Sequence, residues 1–247
     1  MTRSRLDALL VARGHAASRE RASALIMAGS VRVGDRVVDK PGAQIDAAAA
    51  VTVATVDIPY VGRGGVKLAG GLDVLGVDVR DRLVLDVGAS TGGFTDCVLQ
   101  RGARHVLAVD VGYGQLAWSL RQDPRVTLLE RCNVRHLTVD RLPGRAEVAV
   151  IDASFISLAL VLPSVVALLV PGATIVALVK PQFEVGKGQV GRGGVVRDPA
   201  LHVAAVAGVR AAADKLSLRY LGECPSPLVG PKGNREFFVA WRLPDPV

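Results

Sequence analysis

Four ionisable residues in this chain stand where apolar runs end, the places at which strand-and-helix proteins collect chemistry. Lys67 follows Arg63-Gly64-Gly65, just ahead of the first strongly apolar strand pattern. Asp152 closes the run from Val148, Lys180 closes the run Thr174–Val179, and Glu236 follows Lys232-Gly233-Asn234-Arg235 and opens the last run. Each alone reads equally well as a surface charge or a strand-end cap. Lys180 resists that reading most, because no charged residue occurs from Ala153 to Val179 and an unpaired ammonium there is costly to desolvate. Two lysines and two carboxylates suit removal of a proton from a sugar hydroxyl, a poor nucleophile. A lysine acts as base once its pKa falls, which a nearby cation and partial burial bring about. Lys67 supplies such a cation, while Asp152 and Glu236 hold the site near neutrality and orient the ammonium groups.

A second cluster lies in Leu85-Asp86-Val87-Gly88-Ala89-Ser90-Thr91-Gly92-Gly93-Phe94, which ends an apolar run and opens a helix pattern. Glycines at such a turn let the backbone approach a ligand. An ordinary Gly-rich turn is the plain reading, and a dinucleotide site is the functional rival. A dinucleotide site asks for Gly-x-Gly-x-x-Gly to cradle a pyrophosphate. Here Gly-x-Gly is missing, and Asp86 would repel a pyrophosphate. S-adenosylmethionine carries no phosphate, and its amino group and sulfonium are cationic, so an acidic turn suits it. Asp86, Gly88, Ser90, Gly92, Gly93 and Phe94 are therefore candidate ligands of that methyl donor. Asp110, 22 residues after Gly88, is placed to accept hydrogen bonds from ribose hydroxyls, and Asn133 to meet the adenine edge.

The elements that would position these residues are legible in the pattern. Apolar strands are expected at Leu83–Val87, Val106–Val111, Val126–Leu129, Val148–Asp152, Thr174–Val179, Arg219–Glu223 and Phe237–Trp241, with helical stretches such as Pro199–Lys215 between most of them. Alternation of this kind implies a parallel sheet covered on both faces. The connection Pro225–Arg235 is too short for a crossover helix, so the final strand should pair antiparallel. The expected class is α/β: a class I, Rossmann-like methyltransferase domain with a seven-stranded sheet, behind a small α+β domain. The uncharged run Ala153–Val179 is long enough to span a bilayer. Pro163 and Pro171-Gly172 favour instead a buried helix, a Pro-Gly turn and a buried strand.

The leading segment has its own character. Residues 1–40 hold eight Arg or Lys and four acids, an excess of four within a net charge of +7 for the 247-residue chain. Leu6, Leu9 and Leu10 share one face of a helix Arg5–Arg13; Ser18 caps a second helix, Arg19–Ala28, which stops at Gly29. Val31–Val33 and Val37-Val38 flank Gly34-Asp35 as a hairpin, and Val51–Val56 adds a strand. The string Arg5-Leu6-Asp7 through Leu10, Ser18-Arg19-Glu20-Arg21-Ala22 and Ile26 to Gly34 resembles the S-four-type RNA-binding domain, or αL motif. That resemblance implies structured RNA, met through phosphates and shape. Arg3, Arg5, Arg19, Arg21 and Arg63 are the candidate RNA contacts. The expected division is 1–58 for this domain, 59–62 as linker and 63–247 for the catalytic domain.

Over nearly its whole length the chain is similar to the TlyA family of ribosomal-RNA 2′-O-methyltransferases, whose members also carry the name haemolysin and whose catalytic domain is FtsJ-like. The strings that carry this are Arg63-Gly64-Gly65-x-Lys67-Leu68, Asp86–Phe94, Val109–Leu116, Ser154–Leu158, Lys180–Glu184, Ser226-Pro227 and Gly230–Glu236. The resemblance implies that Lys67, Asp152, Lys180 and Glu236 form the family's Lys-Asp-Lys-Glu tetrad. It also implies that the acceptor is a cytidine ribose in ribosomal RNA, within ribosomal subunits. Gly62, where Ser is expected before Arg-Gly-Gly, is a departure that leaves the tetrad intact.

Composition narrows the remaining classes. Three isolated cysteines and four scattered histidines argue against a disulfide framework or a metal cluster and fit the cytoplasm. The charged start lacks a signal-peptide core, and stable membrane insertion is not expected. The Gly-rich stretch Glu184–Asp198, with Lys187, Arg192 and Arg197, is expected to be a mobile basic flap. Two rivals stand beside the methyltransferase: a membrane-active haemolysin, motivated by charge and the uncharged run, and a non-catalytic RNA-binding factor on a vestigial fold.

Overall fold

Leu6, Leu9 and Leu10 recur at helical spacing, and with Ala22, Ile26, Val31 and Val51 they close a small apolar core at the start of the chain. The structure, a computed structural model, describes residues 3–16, 18–27, 29–53 and 59–245. It forms two compact units, Met1–Arg63 and Gly64–Val247.

The first unit runs β1 (Arg3–Arg5), α1 (Leu6–Ala12), α2 (Arg19–Met27), β2 (Val31–Val33), β3 (Arg36–Val37), β4 (Gln44–Asp46) and β5 (Val51–Val53). Ser18 Oγ accepts the Arg21 N–H at 3.1 Å and starts α2. Gly29 at φ 69° ends that helix, and Gly34 at φ 56° turns the β2–β3 hairpin. The antiparallel pair β1–β4 was not expected, because Arg-Ser-Arg has no apolar alternation and is held by backbone pairing. Strand β5 is described only to Val53; residues 54–56 of the expected longer strand, and Asp57 and Ile58 at the expected boundary, lie outside the described residues, as does Ala28.

The second unit runs α3 (Arg63–Leu75), β6 (Leu83–Val87), α4 (Gly93–Gln100), β7 (His105–Val109), α5 (Trp118–Arg121), β8 (Val126–Leu129), β9 (Ala146–Ile151), α6 (Leu158–Ala167), β10 (Leu169–Val179), α7 (Pro181–Glu184), α8 (Pro199–Asp214), β11 (Arg219–Pro225) and β12 (Phe237–Arg242). Its seven-stranded sheet has the order β11-β12-β10-β9-β6-β7-β8. All the central pairs are parallel, and β12 is antiparallel to both neighbours. That is the expected class I methyltransferase sheet. Its central strands are buried on both faces, so Val84, Val106, Ala149, Val176 and Phe238 show no alternation with polar residues.

Two local expectations are corrected. Strand β7 stops at Val109, which leaves Asp110 as the first residue past the strand. Pro171-Gly172 is not a turn between elements: β10 passes through it, with an irregular register against β9 between Leu169 and Thr174 and with Gly172 at φ 71°. A proline whose missing N–H coincides with a bulge leaves the strand intact. Lys67, expected only as standing ahead of the first strand, lies one turn inside α3, a helix that the glycine pairs 64-65 and 70-71 made hard to anticipate. Packing accounts for the second pair: a Cβ on Gly70 would come within 2.9 Å of Pro227 and one on Gly71 within 2.7 Å of the Phe238 ring. Pro163 lies on the exposed side of α6. Among the described residues no helix is long and apolar enough to cross a membrane.

Candidate active site

The register of the sheet explains how residues far apart in sequence reach one place. Val179 of β10 pairs with Phe237 of the antiparallel β12, so Lys180, one residue on, faces Glu236, one residue back. Ile151 of β9 pairs with both Ala177 and Val87, which sets Asp152 between the end of β10 and the turn at Gly88. The contact is tight: a Cβ on Gly88, itself at φ 87°, would lie 2.7 Å from the Asp152 carbonyl oxygen. All these positions fall on the carboxyl edge of the parallel strands, where ligands bind in such sheets.

The four residues form two ion pairs on this edge. Lys67 Nζ donates to Glu236 Oε2 at 2.6 Å, with both side chains almost fully buried. Lys180 Nζ lies 2.7 Å from Asp152 Oδ1, a contact of charge and distance that departs from hydrogen-bond alignment. Lys180 also donates to Ser154 Oγ at 2.7 Å. Ser154 was not singled out from sequence; its signal was its place two residues after Asp152 in a loop where a strand ends. Phe155 follows, 89% exposed and at φ 64°, with its ring 5.0 Å from that of Phe183. A phenylalanine held in the left-handed region and turned to solvent carries local strain, which concentrates at functional edges. Ser90 and Arg131, also non-glycine at positive φ, belong to the loops after β6 and β8.

The glycine turn is built around Asp86. This carboxylate is fully buried; Oδ2 accepts the Thr95 hydroxyl at 2.6 Å and Oδ1 has no partner. Burial pushes its pKa up to about 7 against the opposing hydrogen bonds from Thr95, and the charges of Asp152 and Asp110 add to the rise. Asp86 thus sits inside β6 rather than projecting into the turn, and its unpartnered oxygen is a buried acceptor awaiting a donor. Gly92, at φ 97°, precedes α4, and a Cβ on Gly93 would meet the Gly65 nitrogen at 2.9 Å. Only glycines admit this approach of α4 to α3.

Asp110 spans the same turn. Its Oδ2 accepts the Ser90 N–H at 2.7 Å and its Oδ1 the Gly112 N–H at 2.6 Å, and each oxygen keeps a second lone pair. Two of the candidate cofactor residues make side-chain contacts of their own. Phe94 is a core residue, 2% exposed with its ring 6.1 Å from that of Phe238, so its side chain faces away from the turn. Asn133 caps the short 3-10 turn Val134–His136: its Oδ1 accepts the Arg135 N–H at 3.1 Å, which commits that oxygen locally. The stretch after α7 is also not a free flap. Asn234, 2% exposed, accepts from Val196 N and donates to Gly194 O, both at 2.9 Å, and His202 Nε2 meets the Val196 carbonyl at 2.9 Å. Glycine content hid this, because the anchor comes from a distant side chain.

In the first unit Arg3 and Arg21 are exposed. Arg5 and Arg19 share a partner that the sequence did not disclose. Asp7, 3% exposed, takes both Arg5 and Arg19 on Oδ2, at 2.8 and 2.9 Å, and Arg5 Nε on Oδ1 at 3.1 Å. Arg5 foremost, and Arg19 with it, hold this carboxyl well below the usual range despite burial. Arg63, half-buried, opens α3. Among the described residues no group of three or more His, Cys, Asp or Glu is placed to hold a metal ion.

A seven-stranded sheet with a final antiparallel strand and a glycine turn at its carboxyl edge defines a methyltransferase-type fold. Comparison with known proteins agrees: a model of the FtsJ-like methyltransferase family matches residues 60–243, and one of the S4 domain matches residues 4–51. The chain belongs to the FtsJ-like methyltransferase family. It is 52% identical over 238 residues to the 16S/23S rRNA (cytidine-2′-O)-methyltransferase TlyA of Mycobacterium tuberculosis, covering 96% of this chain and 89% of that one. It is 36% identical to Hemolysin A of Brachyspira hyodysenteriae over 95% of this chain and 98% of that one. A solved hemolysin-named structure from Streptococcus thermophilus superposes with a TM-score of 0.77 at 42% identity, covering 99% of this chain and 90% of that one. Methyltransferase and hemolysin names therefore occur within one set of relatives.

Proposed function

We propose that this protein transfers a methyl group from S-adenosylmethionine to a ribose 2′-hydroxyl of cytidine in ribosomal RNA, working on ribosomal subunits in the cytoplasm. The observation that carries the reading is Lys180, held by Asp152 and Ser154 at the carboxyl edge of the sheet against the Gly88 turn. The relative's cytidine-2′-O activity supports the acceptor.

The residues present fit the cofactor. The unpartnered Asp86 Oδ1 is a buried anion for a cationic amino group, Gly88, Gly92 and Gly93 leave room where a Cβ would not fit, and Asp110 retains lone pairs for ribose hydroxyls. When bound, S-adenosylmethionine supplies an electrophilic methyl on a sulfonium, so no metal is required. The chain's own work is to place the acceptor and take its proton. Lys180 is the base, and its Nζ accepts the hydroxyl proton in its neutral form. Asp152 and Ser154 aim that nitrogen. Lys67 and Glu236 form the second ion pair of the same edge. The exposed Phe155 offers a stacking face for an unpaired base next to Lys180. Most of the remaining acceleration is alignment of hydroxyl, methyl and sulfur. Arg3, Arg5, Arg19, Arg21 and Arg63 contact RNA, with residues 1–58 as the RNA-binding module, 59–62 as linker and 63–247 as the catalytic domain.

The test is transfer of labelled methyl to ribosomal subunits, with the product identified by nucleoside mass spectrometry. A 2′-O-methylcytidine that vanishes with Lys180→Ala supports the proposal; label on a base contradicts it.

A further inference from the structure

Both side chains that touch Lys180 Nζ, Asp152 and Ser154, lie on the loop that joins β9 to α6. That loop has no regular structure and holds Phe155 in a strained conformation. Lys180 itself precedes α7, on a separate stretch of chain. Misplacement by an ångström is worth orders of magnitude in rate, so the loop and α7 need a fixed relation. Glu184, the last residue of α7, provides one. Its Oε2 accepts the Ser157 hydroxyl at 2.6 Å and its Oε1 accepts the Leu158 N–H at 2.9 Å. Ser157 Oγ in turn accepts the Ala159 N–H at 3.2 Å, so its hydrogen is directed to Glu184. The Phe155–Phe183 ring contact adds a second tie between the same two segments. Contacts therefore run in a closed ring, from Lys180 to Asp152 and Ser154, along the loop to Ser157 and Leu158, across to Glu184, and back through α7.

We propose that Glu184 is a positioning residue for methyl transfer: through Ser157 and Leu158 it sets where Asp152 and Ser154 hold Lys180. Ser157 caps α6 through the Ala159 N–H and Glu184 takes the Leu158 N–H beside it, but capping does not need the second Glu184 oxygen on the Ser157 hydroxyl. Burial raises the Glu184 carboxyl above its ordinary range even against the bonds from Ser157 and Leu158, a cost that capping alone does not require. The inference rests on Lys180 being the base, and the experiment separates the two.

Glu184→Gln, Ser157→Ala, their double variant and Lys180→Ala are assayed in the full chain on ribosomal subunits, alongside melting temperature and calorimetric affinity for S-adenosylhomocysteine. Gln keeps the shape of Glu184 but cannot accept from both donors. Each single variant is expected to lower kcat by about tenfold or more, with KM for subunits and S-adenosylhomocysteine affinity close to the parent; Glu184→Gln should also keep the parental melting temperature, whereas Ser157→Ala loses the α6 cap and melts a few degrees lower. The double variant should be no worse than the weaker single, because both break the same link. Full kcat in the single variants beside an inactive Lys180→Ala overturns the positioning role, as do a loss in Glu184→Gln that follows melting temperature or losses that add independently. An active Lys180→Ala overturns the reading of the base itself.

Discussion

Lys180 Nζ meets Asp152 Oδ1 and Ser154 Oγ at 2.7 Å and the Asp152 carbonyl oxygen at 3.5 Å, so the residues around it divide by what they do to its nitrogen. Asp152→Asn removes the charge beside Lys180 and leaves Ser154 and the backbone carbonyl of residue 152 as its partners; it should lower kcat by at least tenfold, with cofactor affinity retained, in single-turnover assays. Phe155 makes a different prediction. Its ring is 89% exposed and meets the half-buried Phe183 ring, so Phe155→Ala should leave the melting temperature within about 1 °C, given that surface changes rarely exceed ~0.5 kcal/mol. It should weaken productive RNA engagement, read as a rise in KM for subunits of about tenfold, since stacking on a base is worth about 1–3 kcal/mol. Asp86 adds a pH dependence. Its folded pKa, raised to about 7 by burial, means that the folded chain holds more protons than the unfolded one between about pH 4 and 7. Stability without ligand therefore falls as pH rises through that window, and Asp86→Asn should flatten the trend in thermal melts. A cationic amino group beside Oδ1 favours the charged carboxylate, so S-adenosylhomocysteine binding should tighten from about pH 6 to 8 and release a proton. Calorimetry in buffers of different ionisation enthalpy reads that proton directly.

At the scale of elements, the glycine turn and the strand ends make one unit. Gly88→Ala places a Cβ against the Asp152 carbonyl at 2.7 Å and forces φ 87° on a residue that pays about 1–2 kcal/mol for left-handed backbone. Chemical denaturation should show a loss of about 2 kcal/mol or more, together with loss of cofactor binding. A stable Gly88→Ala that still binds S-adenosylhomocysteine would contradict the close approach. This edge of the sheet was largely legible beforehand, because buried parallel strands are written as short apolar runs and Asp152, Lys180 and Glu236 stand at their ends. What stayed hidden depended on distant partners. The helix carrying Lys67 went unmarked because it is glycine-rich, and its glycines leave the space that Phe238 needs. Phe94 looks like part of the glycine motif, but its ring points to the core, because a helix opening after a tight turn sends its first large apolar side chain inward. The Glu184 clamp joins residues 27 positions apart, and no local pattern announces it. Pro171-Gly172 misled for the opposite reason: its local turn chemistry is strong, and the sheet overrode it with a bulge.

The whole molecule divides its charge and its chemistry. The excess of basic residues in 1–40 accounts for four of the net +7, while the paired lysines lie in Gly64–Val247. Asp7 neutralises one of the two arginines it binds and holds both in place, so in the proposed RNA contact their remaining N–H groups would meet phosphate with little further loss of freedom. Arg5→Ala with Arg19→Ala should weaken binding to ribosomal RNA fragments and make its dependence on salt shallower, by a slope of about 0.7–0.9 for each phosphate that is no longer neutralised. Affinity for S-adenosylhomocysteine should be unchanged. The hemolysin name in the family invites a separate check. Lysis of erythrocytes by purified protein, persisting in Asp86→Asn and Lys180→Ala variants, would show an activity independent of the site; the site architecture predicts none.

The most direct measurement is methyl transfer from labelled S-adenosylmethionine to isolated ribosomal subunits, run for the parent chain and for Lys180→Ala, with the modified nucleoside resolved by mass spectrometry. The parent should yield 2′-O-methylcytidine and Lys180→Ala none, with equal S-adenosylhomocysteine binding by both. Methylation on a base, or transfer by Lys180→Ala at the parental rate, would contradict the proposed function.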